Sequence, residues 1–600
     1  MIDPRQILHD VFGFSAFREG QEEIIRAILG GQDVLAVMPT GAGKSLCYQL
    51  PALATKGLTL VVSPLIALMR DQVSALRHFG IEAGSLNSAN DPAENRRVAD
   101  AVRDRTMRLL YASPERLANT NTTEWLARSG VNLLAIDEAH CVSQWGHDFR
   151  PEYALLGEVR RRLGGVQTIA LTATADVATR DDIAARLFES EPRTFIHGFD
   201  RPNLRLAMQA KEQASRQLLD FLDKHRFESG IVYCSSRNAT ERLADSLGKA
   251  GYHALAYHAG MGQDARARNQ DVFLQEDGVV MVATVAFGMG IDKPDVRFVA
   301  HAALPKSIEA YYQEIGRAGR DGAPADTLTL YGLDDMRLRR SQIEESDASE
   351  DQKRIERQRL NALVALCEAP KCRRQTLLAY FGETTEPCGN CDLCIDGVTS
   401  FDGTIEAQKL LSAIVRTGER FGTEHIINLL AGDATDAMRR FGHDKLKTFG
   451  VGRERSKPEW RSLLRQIYAA GLVSLELSEY GRWRLTDSGV AVLKGQETIE
   501  LRSDVLMKPR ERRRRRGLPA AESVVASDDP LLLALKALRT RFAKSEGVPA
   551  YVIFSDRSLI DMAARRPSST RAFGEVHGVG QAKLERYADA FLEVVKEHAA

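Results

Sequence analysis

Cysteine is scarce in this chain, eight residues among 600. So few thiols cannot make a disulfide framework in a protein of this length, and four of them crowd between Cys372 and Cys394, which points to metal instead. An excess of either charge is also missing. Lysine plus arginine and aspartate plus glutamate each number 81, so any affinity for nucleic acid has to come from local patches, not from the net field. No run approaches the roughly 20 apolar residues that a membrane span needs, and Met1-Ile2-Asp3-Pro4-Arg5 does not open a basic-then-apolar leader. The expectation is a soluble cytoplasmic protein with no membrane partner, built from three to five domains.

What is present begins with Thr40-Gly41-Ala42-Gly43-Lys44-Ser45, directly after the apolar run Val34 to Met38. A glycine-containing loop between a strand and a helix points backbone N–H groups and the helix N-terminus at anionic oxygens. Lys44 would meet the β- and γ-phosphates, and Ser45 would ligate Mg²⁺. The strict pattern has a glycine five residues before Gly43, where Met38 stands; a Gly-rich turn before Lys-Ser can also be a plain helix start. Asp137-Glu138-Ala139-His140, ending the apolar run Val131 to Ile136, supplies a second half. A carboxylate leaving a buried parallel strand beside the loop is where the metal's other anchor belongs. Upstream, Phe14 could stack on adenine, Arg18 cover its other face and Gln21 pair with its N6/N7 edge. The alternative is core aromatics ahead of an N-terminal helix, Gln21 to Leu29.

Between Asp33 and about Pro192, near-continuous Val/Ile/Leu runs at Leu58 to Ser63, Met107 to Ala112, Val131 to Ile136 and Val166 to Leu171 alternate with amphipathic stretches, the pattern of a parallel sheet covered on both faces. Several runs end in small polar tails, Ser63-Pro64, Ser113-Pro114 and Thr172-Ala173-Thr174, and ligands of such sheets collect at the carboxyl ends of strands. Trp145, Phe149 and Arg150 offer groups on which single-stranded bases could stack beside the hydrolytic centre; a packed loop with aromatic anchors is the other reading. A second α/β unit, from about Arg205 to Leu333, has buried-strand runs but no phosphate loop of its own. Near its end Gln313-Glu314-Ile315-Gly316-Arg317-Ala318-Gly319-Arg320 sets two arginines three apart. They are either a surface pair or fingers delivered by a second domain onto a bound nucleotide.

In this order, the phosphate loop, Asp137 to His140, Thr172 to Thr174, Thr284 to Asp292 and Gln313 to Arg320 resemble a superfamily 2 helicase, and Phe12 to Gln21 with Ser143 to Pro151 narrow the likeness to the RecQ helicases. The likeness runs nearly end to end. It implies two RecA-like domains that close on ATP and move 3′→5′ along a DNA strand. It further implies that Glu138 polarises the attacking water, Gln313 helps position it, Arg320 is the finger with Arg317 as second candidate, and Asp292 reaches the ribose. Ala42 stands where the family would have glycine.

Farther on, Cys372, Cys388, Cys391 and Cys394 suit a closed, structural Zn²⁺ site; Cys391 and Cys394 alone could be a redox pair, but Cys388 and Cys372 beside them favour zinc. The RecQ likeness also implies zinc here. Helical patterns from Glu406, then a strand pair about Glu479-Tyr480-Gly481, predict a winged helix, a module that binds either DNA or protein. The family likeness puts Tyr480 at a strand-separating tip. Lys508 to Arg516 is a basic linker whose self-repulsion argues for disorder. Asp528 to Ala600 resembles the helical HRDC domain, where Tyr551, with Lys536, Arg539 and Arg541, would meet single strands and the Gly578-Val579-Gly580 turn a phosphate.

The expected fold class is thus α/β, two RecA-like parallel-sheet domains (1–204 and 205–340) followed by zinc-binding (341–400), winged-helix (401–507) and small all-helical HRDC-like (528–600) domains, with the basic linker at 508–527. The expected cofactors are ATP, Mg²⁺ and Zn²⁺. The expected partners are single-stranded and forked duplex DNA, with single-strand binding protein at the winged helix, in a cytoplasmic, nucleoid-associated setting. An RNA helicase, a translocase that separates no strands, a DNA-binding scaffold with a vestigial ATPase and a transporter ATPase are the competing readings.

Overall fold

The computed structural model describes residues 3–87, 90–143, 149–175, 177–287, 293–397, 399–476, 482–503 and 529–598. The apolar runs become strands: β1 (Val34–Val37), β2 (Leu58–Val62), β3 (Ala83–Leu86), β4 (Leu109–Ala112), β5 (Val131–Ile136), β6 (Gln167–Thr172) and β7 (Arg193–Ile196). They form one parallel sheet in the order β3-β4-β2-β5-β6-β1-β7. Strands β1 and β2 are buried along their whole length, as helices on both faces of a parallel sheet require. The metal-anchor strand β5 is not the immediate neighbour of β1. β6 stands between them, so the Thr172–Thr174 tail emerges between the phosphate loop and the carboxylates.

The second sheet, also parallel, contains β8 (Leu204–Ala210), β9 (Gly230–Tyr233), β10 (His253–Tyr257), β11 (Val279–Ala283), β12 (Phe298–His301) and β13 (Ala325–Tyr331), in the order β10-β11-β9-β12-β13-β8. Beyond it, helices Leu333–Glu344, Glu350–Cys367 and Arg373–Tyr380 carry the chain into the cysteine cluster. Ser349 and Gln352 cap the second of these reciprocally. The next module opens with β14 (Thr399–Asp402). Helices Thr404–Arg416, Thr423–Ala431 and Lys457–Ala469 precede an antiparallel pair, β15 (Val473–Glu476) and β16 (Arg482–Leu485). β17 (Glu500–Ser503) returns to pair with β14 and closes the module.

One continuous apolar core runs from Leu35 in the first lobe to Leu501 in the closing strand. A buried carboxylate fastens the two middle parts within it: Glu368, ending the helix Glu350–Cys367, meets Arg465 at 2.6 Å and Arg502 at 3.2 Å with its side chain wholly covered.

The helices Pro530–Glu546, Asp556–Arg565 and Gln581–Glu597 build a separate core around Leu535, Phe554, Phe573 and Phe591. This C-terminal unit docks on both lobes. Gly578 N–H donates to Gly13 O at 2.9 Å, and a Cβ at Gly580 would lie 2.3 Å from Val11 O, so only glycine permits the approach. His78 meets Glu546 at 3.3 Å on the first lobe, and Arg539 meets Asp277 at 3.6 Å on the second. Two sequence expectations change here. Arg539, only 2% exposed, also pairs with Asp556 at 2.5 Å, so it is an internal strut and cannot contact a strand. In the Gly578–Gly580 turn, Gly578 N–H is spent on Gly13 O and Val579 N–H on Val576 O, not on a phosphate.

Candidate ATP site and metal centre

The phosphate loop is built by backbone geometry. Gly41 (φ 86°) and Gly43 (φ 79°) take the left-handed region, which side chains disfavour, and Ser45 begins the helix Leu46–Ala54. Met38, where the strict pattern has glycine, prolongs β1: its N–H donates to Thr172 O at 3.0 Å and the side chain is buried. The tight turn therefore starts after it, and a glycine there is unnecessary. Lys44 Nζ donates to Met38 O at 3.4 Å. Burial lowers the Lys44 pKa, opposed by the nearby Glu138 and Asp137 carboxylates and reinforced by Arg320. Lys44 is thus a buried cation between two carboxylates and a guanidinium.

The loop is braced from below. Arg18 Nη1 donates to Gly41 O. Gln21 Nε2 donates to the carbonyls of Ala42 and Gly43, 3.0 Å each, while its Oε1 accepts from Arg18 N at 2.8 Å. The Gln21 amide is thus committed to the loop, and the base-edge pairing expected from sequence would require breaking these bonds. Phe14 stands at 5.4 Å, ring to ring, from His577 of the docked C-terminal unit.

Asp137 and Glu138 follow β5. Glu138 has φ 50° and ψ 46°, an uncommon left-handed conformation for this residue. Its buried Oε2 lies 3.4 Å from His140 Nδ1 and accepts no hydrogen bond among the described residues, an environment that suits a base reserved for water. His140 Nδ1 is 2.9 Å from Thr172 Oγ1, which donates to Thr174 O at 3.2 Å. Burial, with Lys44 and Arg150 adding to it, pulls the His140 pKa down to about 3, so the imidazole is neutral at working pH. Gln313 Nε2, from the second lobe, donates to Thr174 Oγ1 at 3.3 Å. Hydrogen bonds thus link His140 to Thr172 and Thr172 to Thr174 O, and Gln313 meets the Thr174 hydroxyl.

Of the two arginines in the Gln313–Arg320 stretch, Arg320 lies against the phosphate loop, and Arg317 is directed to Tyr233 of its own sheet. A Cβ at Gly316 would touch Thr40 Cβ at 3.0 Å, and one at Gly41 would lie 3.5 Å from Arg320 Cγ. Arg317 is 6% exposed. Arg201 and Asn203, which sequence reasoning did not single out, hold this stretch from the connector between the lobes. No periodicity or motif marks them, because their partners lie more than a hundred residues away.

The aromatic loop is described only from Phe149. Phe149 and Arg150 are half-buried, and Arg150 Nη1 donates to Pro64 O at 3.2 Å, joining the loop to the tail of β2. Tyr551 is half-buried between the C-terminal core and the main one. Trp145, Asp292, Tyr480 and the basic linker fall outside the described residues.

The ligand atoms of Cys372, Cys388, Cys391 and Cys394 lie within 4.8 Å of one another. Cys391 Sγ and Cys372 Sγ are 3.9 Å apart, close to the separation of two thiolates on one tetrahedral zinc with Zn–S of ~2.3 Å. Arg373, wholly buried, pairs with Asp392 inside the cluster at 2.8 Å and ties it to β8 through Met208 O at 3.3 Å. The donor set and spacing fit Zn²⁺.

Two parallel sheets that share one phosphate-binding cleft, with Arg320 from the second beside the loop of the first, define a two-lobed nucleoside triphosphatase motor. The chain matches the models of the DEAD/DEAH box helicase (residues 18–183), the helicase conserved C-terminal domain (211–322), RecQ zinc-binding (333–395), the RQC domain (397–510) and the HRDC domain (528–595). It is 43% identical to the ATP-dependent DNA helicase RecQ of Haemophilus influenzae over 99% of this chain and 96% of that one. The proteins of the same description from Pasteurella multocida and Bacillus subtilis are 42% and 36% identical, over 99% of this chain and 93% and 98% of theirs. The chain belongs to the RecQ family of ATP-dependent DNA helicases. Among the described residues no helix is long and apolar enough to cross a membrane.

Proposed function

We propose that this chain moves 3′→5′ along single-stranded DNA and unwinds forked duplex during DNA repair and recombination, in the cytoplasm at the nucleoid. The protein is an ATP-dependent DNA helicase that works with ATP and Mg²⁺ and holds Zn²⁺. Hydrolysis of the bound nucleotide supplies the free energy, and the chain's residues position it. Thr40 to Lys44 cradle the phosphates, Ser45 and Asp137 hold Mg²⁺, and Glu138 takes the proton of the attacking water. Gln313, Arg317 and Arg320 bring the second lobe's contribution, and Asp292 meets the ribose. Phe14 and Arg18 receive the base. Trp145, Phe149 and Arg150 sense the strand, Tyr480 wedges the fork and Tyr551 adds a distal contact. Single-strand binding protein docks on the winged helix. The working parts divide at 204/205, 340/341, 400/401 and 507/508, with the C-terminal unit from 528.

The observation that carries this reading is the cross-lobe contact at the phosphate loop, Gln313 on Thr174 and Gly316 on Thr40. An ATP site completed by both lobes converts nucleotide turnover into lobe movement.

The test is steady-state ATPase with no nucleic acid, single-stranded DNA, duplex DNA and single-stranded RNA, beside unwinding of 3′- and 5′-tailed duplexes. Stimulation by single-stranded DNA and unwinding of the 3′-tailed substrate are expected, both lost in Lys44→Ala while DNA affinity stays within about threefold. Equal stimulation by RNA, or preference for the 5′ tail, would refute the proposal.

A further inference from the structure

Three cationic side chains of the cleft reach the phosphate loop by different routes: Arg18 from below, Arg320 from the second lobe, and Arg201 from the connector between β7 and β8. Every N–H of the Arg201 guanidinium has an acceptor in the protein. Its Nη1 donates to Thr40 O and to Gly316 O at 3.3 Å. Its Nη2 donates to Ala318 O and Gly319 O, 2.9 Å each, and its Nε to Asn203 Oδ1 at 3.4 Å. A guanidinium has five N–H donors, and these are five acceptors. Four are backbone carbonyls, one from the phosphate loop of the first lobe and three from the turn that carries Arg317 and Arg320. None of the five is a carboxylate, so the charge is not engaged in a conventional ion pair. Burial, and repulsion from Arg320 and Arg18, bring the Arg201 pKa down to about 10, still cationic at neutral pH.

The rest of the turn is held by Asn203 of the connector and Arg297 of the second lobe. Asn203 Nδ2 donates to Gly319 O and Ala323 O at 2.9 Å, and Arg297 grips Asp321 with 2.7 and 2.8 Å bonds. These contacts fix the turn to its own sheet. Arg201 joins the carbonyls of this turn to a carbonyl of the phosphate loop.

We propose that Arg201 is a positioning residue for hydrolysis: it sets the distance between the phosphate loop and the Gly316–Arg320 turn, and acts on the reaction only through the arginines of that turn. With every donor spent on protein, it does not touch phosphate. The inference rests on the reading of Arg320 as the finger. Lysine cannot replace the strut, since an ammonium has three donors and no planar fork.

The test measures ATP turnover on single-stranded DNA for Arg201→Lys, Arg201→Gln, Arg320→Ala and the double variant Arg201→Lys/Arg320→Ala, with KM for ATP, ADP affinity and melting temperature of each. A misplacement of about 1 Å at a reacting centre lowers rates on the order of 100-fold. Arg201→Lys is therefore expected to lose about 10- to 100-fold in kcat with KM and ADP affinity within about twofold, and Arg201→Gln to behave alike. The double variant should be no slower than Arg320→Ala, because residues acting through one another are not additive. Wild-type kcat in Arg201→Lys, a rise of KM and ADP dissociation in step, or losses that multiply in the double variant would each overturn the proposal. An Arg320→Ala protein with wild-type kcat would instead overturn the finger reading on which it rests, and is recognised by that single variant alone.

Discussion

At the scale of the residue, His140 shows how burial fixes a protonation state. Its folded pKa of about 3 lies below the ordinary 6.5, so between those values the unfolded chain binds more protons than the folded one. The stability associated with neutral His140 is complete above pH 6.5 and is lost as the pH falls towards 3. His140→Gln, which can still hydrogen-bond Thr172, should therefore flatten this acid limb. In denaturant melts at pH 7 and 4.5, the variant is expected to gain on the wild type at the lower pH; parallel losses would refute it. The residue scale is also where the sequence is least complete. Lys44, Asp137 and Arg320 are legible because phosphate chemistry demands those types at those spacings. Gln21 is legible as a residue of the site but not in its bonding, because an amide can hold a loop or a base and only the backbone path decides which. Arg201 has no local signature at all.

At the scale of the element, the zinc cluster and the Glu368 junction can be broken separately. Cys391→Ser should lose the metal and lower the melting temperature, since a closed thiolate site contributes folding energy; zinc content and a thermal melt on one sample check both. Glu368→Ala removes the buried carboxylate that Arg465 and Arg502 share, and breaking such a buried pair costs about 3–5 kcal/mol, read as a shifted denaturation midpoint with zinc content intact. Apolar runs made β1, β2 and β5 readable to within a residue. β3, Ala83-Gly84-Ser85-Leu86, and β7, buried only at Phe195, were not. Both lie at sheet edges, where neighbouring strands rather than side-chain type impose the extended backbone. The pair β14 and β17 was also hidden, because about a hundred residues separate its members and no turn announces it.

At the scale of the whole molecule, one core joins the lobes to the zinc and winged-helix parts, and the C-terminal unit rests on them with a core of its own. Its seat requires glycine. Gly580→Val should clash with Val11 O, release the unit and raise the radius of gyration in solution scattering while helix content holds; an unchanged radius would show the seat tolerates the side chain. That seat has a further consequence. The unit is tied to its dock by the same chain, so it faces the lobes at an effective concentration on the order of millimolar. Contacts too weak to capture a free domain at micromolar concentration are then enough to keep this one in place. A single cut within residues 508–527 would let it leave by dilution, although no contact in the interface had changed.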